Sequence, residues 1–219
     1  MQVSNHSLNT QSPAEVALPP PRRMTEQEFI AWCDEKTRAE WVDGEVVMMS
    51  PVNRHHARLQ VWLVSVLEGF VGKHNLGEVL GPEFAVRLGD PPRRRVPDVL
   101  FVAAEHLERI GPRHFEGPPD LCVEIVSPDS AARDWREKYL EYEAAGVREY
   151  WVIDPNSEHA EAYALASPAG DAPPRYHRLA EDDGRIRSTV IDGFWLKTAW
   201  FWPATRPKVL DALRELGLI

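Results

Sequence analysis

Two apolar runs, each interrupted by a single acid, constrain this 219-residue chain more than any other feature. The first is Val96-Pro97-Asp98-Val99-Leu100-Phe101-Val102, and the second is Leu121-Cys122-Val123-Glu124-Ile125-Val126. Short runs so rich in β-branched and aromatic residues read as buried strands. An ionised carboxylate in such a setting is costly unless it is paired, hydrogen-bonded or bound to a cation. Taken singly, each acid has an ordinary explanation: Asp98 ends a turn after Pro97, and Glu124 meets an arginine. On neighbouring strands the two converge on one hard cation, and oxygen ligands suit Mg²⁺ or Mn²⁺.

The rest of the chain sets the frame around that pair. A chain of this length most naturally forms one core of moderate size. Cys33 and Cys122 sit in an amphipathic helix and a buried strand with no motif around them. They suggest neither a disulfide framework nor a zinc site, and a reducing cytoplasm fits. Residues 1 to 23 have no continuous apolar stretch and end in PPPRR, so they read as a disordered extension, with one domain from 24 to 219. No run reaches the length of a membrane span.

Net charge narrows the partner class. A formal charge of −9 argues against a broad polyphosphate-binding surface, because affinity for nucleic acid rests on neutralising phosphates. It leaves room for local basic strips. Arg93, Arg94 and Arg95 stand immediately before Pro97, and Arg54 and Arg58 lie near the start of a helix; both groups read either as nucleic-acid contacts or as solvated arginines.

Pattern gives the order of elements. Thr25 with Glu28 forms a capping box that starts a helix over about 26–35. Trp41 to Met49 reads as a hairpin or a bent strand turning at Asp43-Gly44. The spacing of Ala57, Val61, Val64, Leu67 and Val71, with Leu63 and Phe70 widening the stripe, predicts a long helix over 54–73. Residues 77–88 and 96–102 read as two strands, 103–109 as a short helix and 121–127 as a strand. Residues 131–145 form a helix that Gly146 stops, and 149–154 form a strand. The segments 160–165, 175–179 and 185–190 suggest an antiparallel extension. FWLKTAWFW then buries itself in the core or at a dimer interface.

A mechanism enters with the helix after Glu124. Lys138 is one of only five lysines, and it lies four residues after Asp134, on the same helical face. With Trp135, Tyr139 and Tyr142 on the sheet side, Asp134 and Lys138 fall toward its edge, where an ammonium could approach a metal-bound group. The alternative is a surface ion pair worth roughly 0.3–0.5 kcal/mol.

Together these segments resemble a family. Pro97-Asp98, Glu124-Ile125-Val126-Ser127-Pro128, Asp134, Lys138 and the stretch AGVREYWVID from Ala145 to Asp154 resemble the Uma-two family of restriction endonuclease-like proteins, which is placed in the PD-(D/E)XK nuclease superfamily. The resemblance extends upstream through Glu40-Trp41-Val42-Asp43-Gly44-Glu45 and Ser50-Pro51 to His56. It implies an α/β, restriction-endonuclease-like fold, in which helices flank a mixed central sheet with a C-terminal antiparallel extension.

The same resemblance implies a hydrolase that cuts phosphodiester bonds in DNA with Mg²⁺ or Mn²⁺ held by Asp98, Glu124 and the main-chain carbonyl of Ile125. The superfamily's lysine normally lies two residues after the strand glutamate. Here that position is Val126, and Lys138 is the replacement. Glu40 would add a ligand through water or hold Lys138, and His56 would contact a phosphate or donate a proton. A homodimer is the simplest way to cut two strands. Two other readings stay open: a non-cleaving relative that binds nucleic acid or regulates, and a structural protein with the aromatic tail as its interface.

Overall fold

The computed structural model describes residues 23–34, 36–127, 131, 133–167 and 172–219. The expected N-terminal extension therefore lies, apart from Arg23, outside the described residues. The capping box opens α1 (Glu26–Trp32): the Thr25 hydroxyl accepts the Glu28 N–H at 3.2 Å and the Glu28 carboxylate accepts the Thr25 N–H at 2.7 Å. Strands β1 (Ala39–Val42) and β2 (Glu45–Met48) form the expected hairpin. Its turn residues Asp43 and Gly44 have φ of 50° and 87°, as a tight turn matching strand twist requires. The long helix α2 (Arg54–His74) is capped by Asn53, whose side chain accepts the His56 N–H.

The segment read as one strand over 77–88 divides in two. β3 (Gly77–Leu80) and β4 (Ala85–Leu88) are separated by a bend at Pro82-Glu83, where Glu83 takes φ 77°, and they join different sheets. β5 (Arg93–Arg95) follows, then β6 (Val99–Ala103), a 3₁₀ turn Ala104–Arg109, β7 (His114–Glu116) and β8 (Leu121–Ile125). A π-helical turn Arg133–Glu137 leads into α3 (Lys138–Ala145), which Gly146 ends at φ 90°. The chain continues through β9 (Glu149–Asp154), β10 (His159–Ala166), β11 (Arg175–Arg178), β12 (Arg185–Arg187), β13 (Trp195–Lys197) and α4 (Val209–Glu215).

The central sheet has the order β11-β10-β9-β8-β6-β3 and is mixed. Only β8 and β9 run parallel within it, and α3 is the crossover that such a pair needs. A second sheet, β2-β1-β5-β4-β7, lies beside it, and β12-β13 form a small antiparallel pair. Of the expected extension, β10 and β11 add to the central sheet itself.

Alternation along the strands divides the central sheet's faces. Val99, Phe101, Val123, Ile125, Trp151 and Ile153 face α2 and the aromatic tail, where Phe194, Leu196 and Phe201 are fully buried. The tail therefore fills the core. Leu100, Val102, Cys122, Tyr150 and Val152 face α3 and the second sheet. The buried face of α2 holds Leu63, Leu67, Phe70 and Val71 of the predicted stripe together with Leu59 and Val66, but Val61, expected within the stripe, is 68 % exposed. Among the described residues no helix is long and apolar enough to cross a membrane.

Candidate active site

Register brings the two acids together. β6 and β8 pair antiparallel with Val99 opposite Val123; Asp98 directly precedes Val99, Glu124 directly follows Val123, and both line one cavity. Both acids share strand parity with Leu100 and Cys122, so they occupy the face turned toward α3.

Asp98 is held from two directions. Its Oδ1 accepts from His56 Nε2 at 2.9 Å and from Gln60 Nε2 at 3.0 Å, and its Oδ2 accepts the Ile125 N–H at 2.7 Å. The Gln60 amide also donates to the Asp98 main-chain carbonyl at 3.0 Å. His56 and Gln60 stand one helical turn apart on α2, so a single face of the helix supplies both donors. His56 is buried, and among the described residues its Nδ1 has no hydrogen-bond partner.

Glu124 is buried deeper. Its Oε1 accepts the Tyr142 hydroxyl at 2.7 Å, and its Oε2 meets Lys138 Nζ at 2.7 Å. The same ammonium lies 3.4 Å from Asp134 and 3.5 Å from Glu40. Glu40 accepts from Arg95 Nη1 at 2.7 Å and from the Val96 N–H at 3.1 Å, and Arg95 forks onto Glu141 with two contacts of 2.8 Å. This ionic relay ties β8, α3, β1 and β5 into one unit.

Burial dominates the electrostatics. It opposes the charge on Lys138, but Glu124, Glu40 and Asp134 outweigh it and hold the ammonium well above its usual range. It likewise works to raise Glu40, yet Lys138, Arg95 and the Val96 N–H keep that carboxyl lowered. Glu124 goes the other way. Burial pushes its carboxyl up, Lys138 only partly offsets this, and Asp134, Asp98 and Glu40 add to the rise. Burial and the neighbouring Glu124 also push the Tyr142 phenol up, so it serves as a donor.

The site opens through a cavity of about 70 Å³ whose lining includes Asp98, Glu124, Ile125, Lys138, Arg133 and the exposed Met48 and Val52. Residues 26–199 match the Uma2 family, described as a putative restriction endonuclease. The chain belongs to the Uma2 family. No curated protein matches it. Among solved structures, it is similar to a putative nuclease belonging to DUF820 from Anabaena variabilis. That likeness has a TM-score of 0.65 at 20 % identity and covers 88 % of this chain and 99 % of that one, so the two share a fold.

Several placements within this Uma2 chain correct the sequence-based picture. Asp134 and Lys138 are not at the sheet edge but are buried, because Asp134, Lys138 and Tyr142 follow one another at four-residue spacing on the inner face. Trp135 and Tyr139 do pack on the sheet, against His159 and Tyr163 of β10 and Tyr176 of β11. The surface ion pair is thus excluded, since the Lys138 side chain is only 6 % exposed. Tyr150 donates its hydroxyl to the Asp134 main-chain carbonyl at 2.7 Å and so satisfies a backbone group in the π-helical turn.

The arginine triplet is not a solvated strip. It forms β5, where Arg94 and Arg95 are buried; Arg94 pairs with Glu26, Arg95 with Glu40 and Glu141, and Arg93 with Asp43. Arg54 and Arg58 are exposed on α2, and Arg58 lies near Arg206, whose guanidinium is lowered by burial first and then by this neighbour. Sequence reasoning missed Gln60, Tyr142 as a Glu124 donor, and Arg95 as the partner of Glu40. Gln60 carried a signal, being an amide between Leu59 and Leu63 one turn after His56.

The residues fit a divalent cation. Among the described residues, the buried carboxylates of Glu40, Glu124 and Asp134, with Asp98 and Glu141 beside them, outnumber the permanent cations paired with them, Lys138 and Arg95. All the acceptors are hard oxygens. Among the described residues no group of three or more His, Cys, Asp or Glu side chains closes into a ready ligand cage.

Proposed function

We propose that this chain is a metal-dependent endonuclease that hydrolyses phosphodiester bonds in DNA. The observation that carries this reading is the convergence of Asp98 and Glu124 on one face, with the Lys138 ammonium 2.7 Å from Glu124. Membership of the Uma2 family supports it. Asp98, Glu124 and the Ile125 main-chain carbonyl would hold Mg²⁺ or Mn²⁺. Such an ion lowers the pKa of a bound water and offsets charge on the phosphoryl oxygens.

The protein's own groups have separate tasks. His56, Gln60 and the Ile125 N–H fix Asp98, which cuts the reorganisation needed when a ligand arrives. Lys138 takes the place of a lysine that Val126 cannot supply: Val126 is buried among Leu100, Tyr142 and Val152, while the ammonium reaches the glutamate from the helix. Glu40 and Asp134 keep that ammonium charged and oriented. A homodimer would present two such sites, one for each strand.

One observation favours a second reading, a relative that binds DNA without cutting it. Lys138 already faces three carboxylates, so in this arrangement it is a structural cation. Supercoiled plasmid incubated with Mg²⁺ or Mn²⁺ separates the two. The wild type should nick it, and Asp98→Ala or Glu124→Ala should lower the rate by more than about a hundredfold, since even outer partners of a metal ligand are worth about 10–100-fold. A salt-sensitive gel shift without nicking would favour the second reading. Equal nicking by the wild type and both variants would sink the first.

A further inference from the structure

The cations lining the site's two cavities are not equivalent. Beside the 70 Å³ cavity lies a larger one of about 340 Å³, bounded in part by Arg23, Asp43, Arg95 and Glu137. Arg133 lines both. Each of the other cations there is committed: Lys138 to Glu124, Glu40 and Asp134, Arg95 to Glu40 and Glu141, and Arg23 to Glu45. Among the described residues no carboxylate lies within ion-pairing distance of Arg133, the half-buried first residue of the π-helical turn before α3.

An anionic substrate meets a difficulty here. The pocket interior carries more carboxylates than cations, so an approaching phosphodiester is repelled until a fixed positive charge at the mouth compensates. A guanidinium is suited to that task, because its planar fork matches two phosphate oxygens and it stays charged at any working pH. It also keeps that charge beside acids without being drawn into the relay, provided no carboxylate claims it. Among the described residues Arg133 meets both conditions, and its position lining both cavities lets one DNA strand pass from the smaller to the larger along it.

We propose that Arg133 is the phosphate-binding residue of this site, gripping non-bridging oxygens of the DNA strand next to the bond that Asp98 and Glu124 address. The assignment rests on the nuclease reading above. It differs from a positioning role, because Arg133 touches the substrate and leaves the Asp98 and Glu124 contacts alone.

Fluorescence anisotropy with a labelled 30-base-pair duplex in Ca²⁺, at several salt concentrations, tests it. Losing one phosphate contact should reduce the slope of log affinity against log salt by about 0.9. Arg133→Ala should show that reduction and a Kd raised about tenfold or more, the range expected for a hydrogen bond to a charged group. Arg133→Glu should bind more weakly still, and Arg133→Lys should recover the slope. Arg187→Ala, which removes an exposed arginine paired with Asp182, should change neither. Wild-type binding and nicking with an unchanged slope in Arg133→Ala would overturn this assignment and leave the nuclease reading standing. A wild type that neither binds in a salt-dependent way nor nicks would overturn both. Thermal unfolding midpoints for all four variants near that of the wild type show that the slope reports contact with DNA.

Discussion

On one face of the central sheet, Val99, Phe101, Val123 and Trp151 meet α2 and the aromatic tail in a dry core; on the other, one residue along β8, Glu124 meets Lys138 and Tyr142, while Asp98 at the end of β6 is held by His56 and Gln60 from α2. The dry face buries one acid at its margin, Glu149, and satisfies it with the Trp151 indole and with the Thr189 N–H and hydroxyl. The ionic face buries several acids and satisfies them with one another's cations. The difference lies in where stability comes from. Apolar burial adds roughly 25 cal/mol per Å² wherever it occurs, whereas a buried ion pair contributes little net and is missed chiefly when one partner is removed.

The largest expected effect follows from that asymmetry. Lys138→Met leaves Glu124, Glu40 and Asp134 without their shared cation, and removing one partner from a buried ionic group costs about 3–5 kcal/mol. Denaturant unfolding at neutral pH should register a loss in that range. A loss below about 1 kcal/mol, the scale of exposed pairs, would mean that water reaches the relay and that the two faces differ less than their burial indicates.

Next in size is a cavity on the dry face. Leu63 is fully buried in the α2 contact, and Leu63→Ala should destabilise the fold by about 2–5 kcal/mol. It should leave Mn²⁺ affinity, measured by calorimetry on the folded protein, where it was. If metal binding weakens in step with stability, the faces are coupled through the strands rather than independent.

How far this contrast could be read in advance depends on the range of the interactions. The Thr25 capping box, the Asp43-Gly44 turn and the strand Glu149–Asp154 fall where expected, because each is written in adjacent residues. That the two acid-bearing runs lie on neighbouring strands, β6 and β8, was legible in their shared apolar pattern. The fate of Arg94 and Arg95 was not. Their partners lie 46 to 68 residues away in the chain, and nothing in Arg93-Arg94-Arg95 distinguishes a buried ionic strand from a solvated loop. The π-helical turn, which brings Asp134 and Lys138 inward, has no local sequence signature either, so the edge position expected for both was wrong.

A smaller effect separates holding a ligand from holding the fold. Gln60→Leu removes two hydrogen bonds to Asp98 but keeps a side chain of similar size beside Leu59 and Leu63. Mn²⁺ binding should weaken by about 10–100-fold, as for partners that orient a metal ligand, while the unfolding midpoint moves little. A variant with unaltered affinity would show that His56 and the Ile125 N–H suffice to set Asp98.

The smallest expected effect tests the phase of α2, on which both faces depend. Leu59, Val61, Leu63, Val64, Val66 and Leu67 are so densely apolar that several helical phases fit the sequence equally, and the one with Val61 inward is the natural choice from spacing alone. The sheet, however, must receive His56 and Gln60 at Asp98, and that requirement rotates the helix until Val61 points outward at 68 % exposure. Val61→Ala should then change stability by no more than about 0.5 kcal/mol, the range of exposed substitutions, against the several kcal/mol at Leu63. A loss at Val61 comparable to that at Leu63 would place this face of the helix against a partner, and the site residues, not packing, would no longer be what selects the phase of α2.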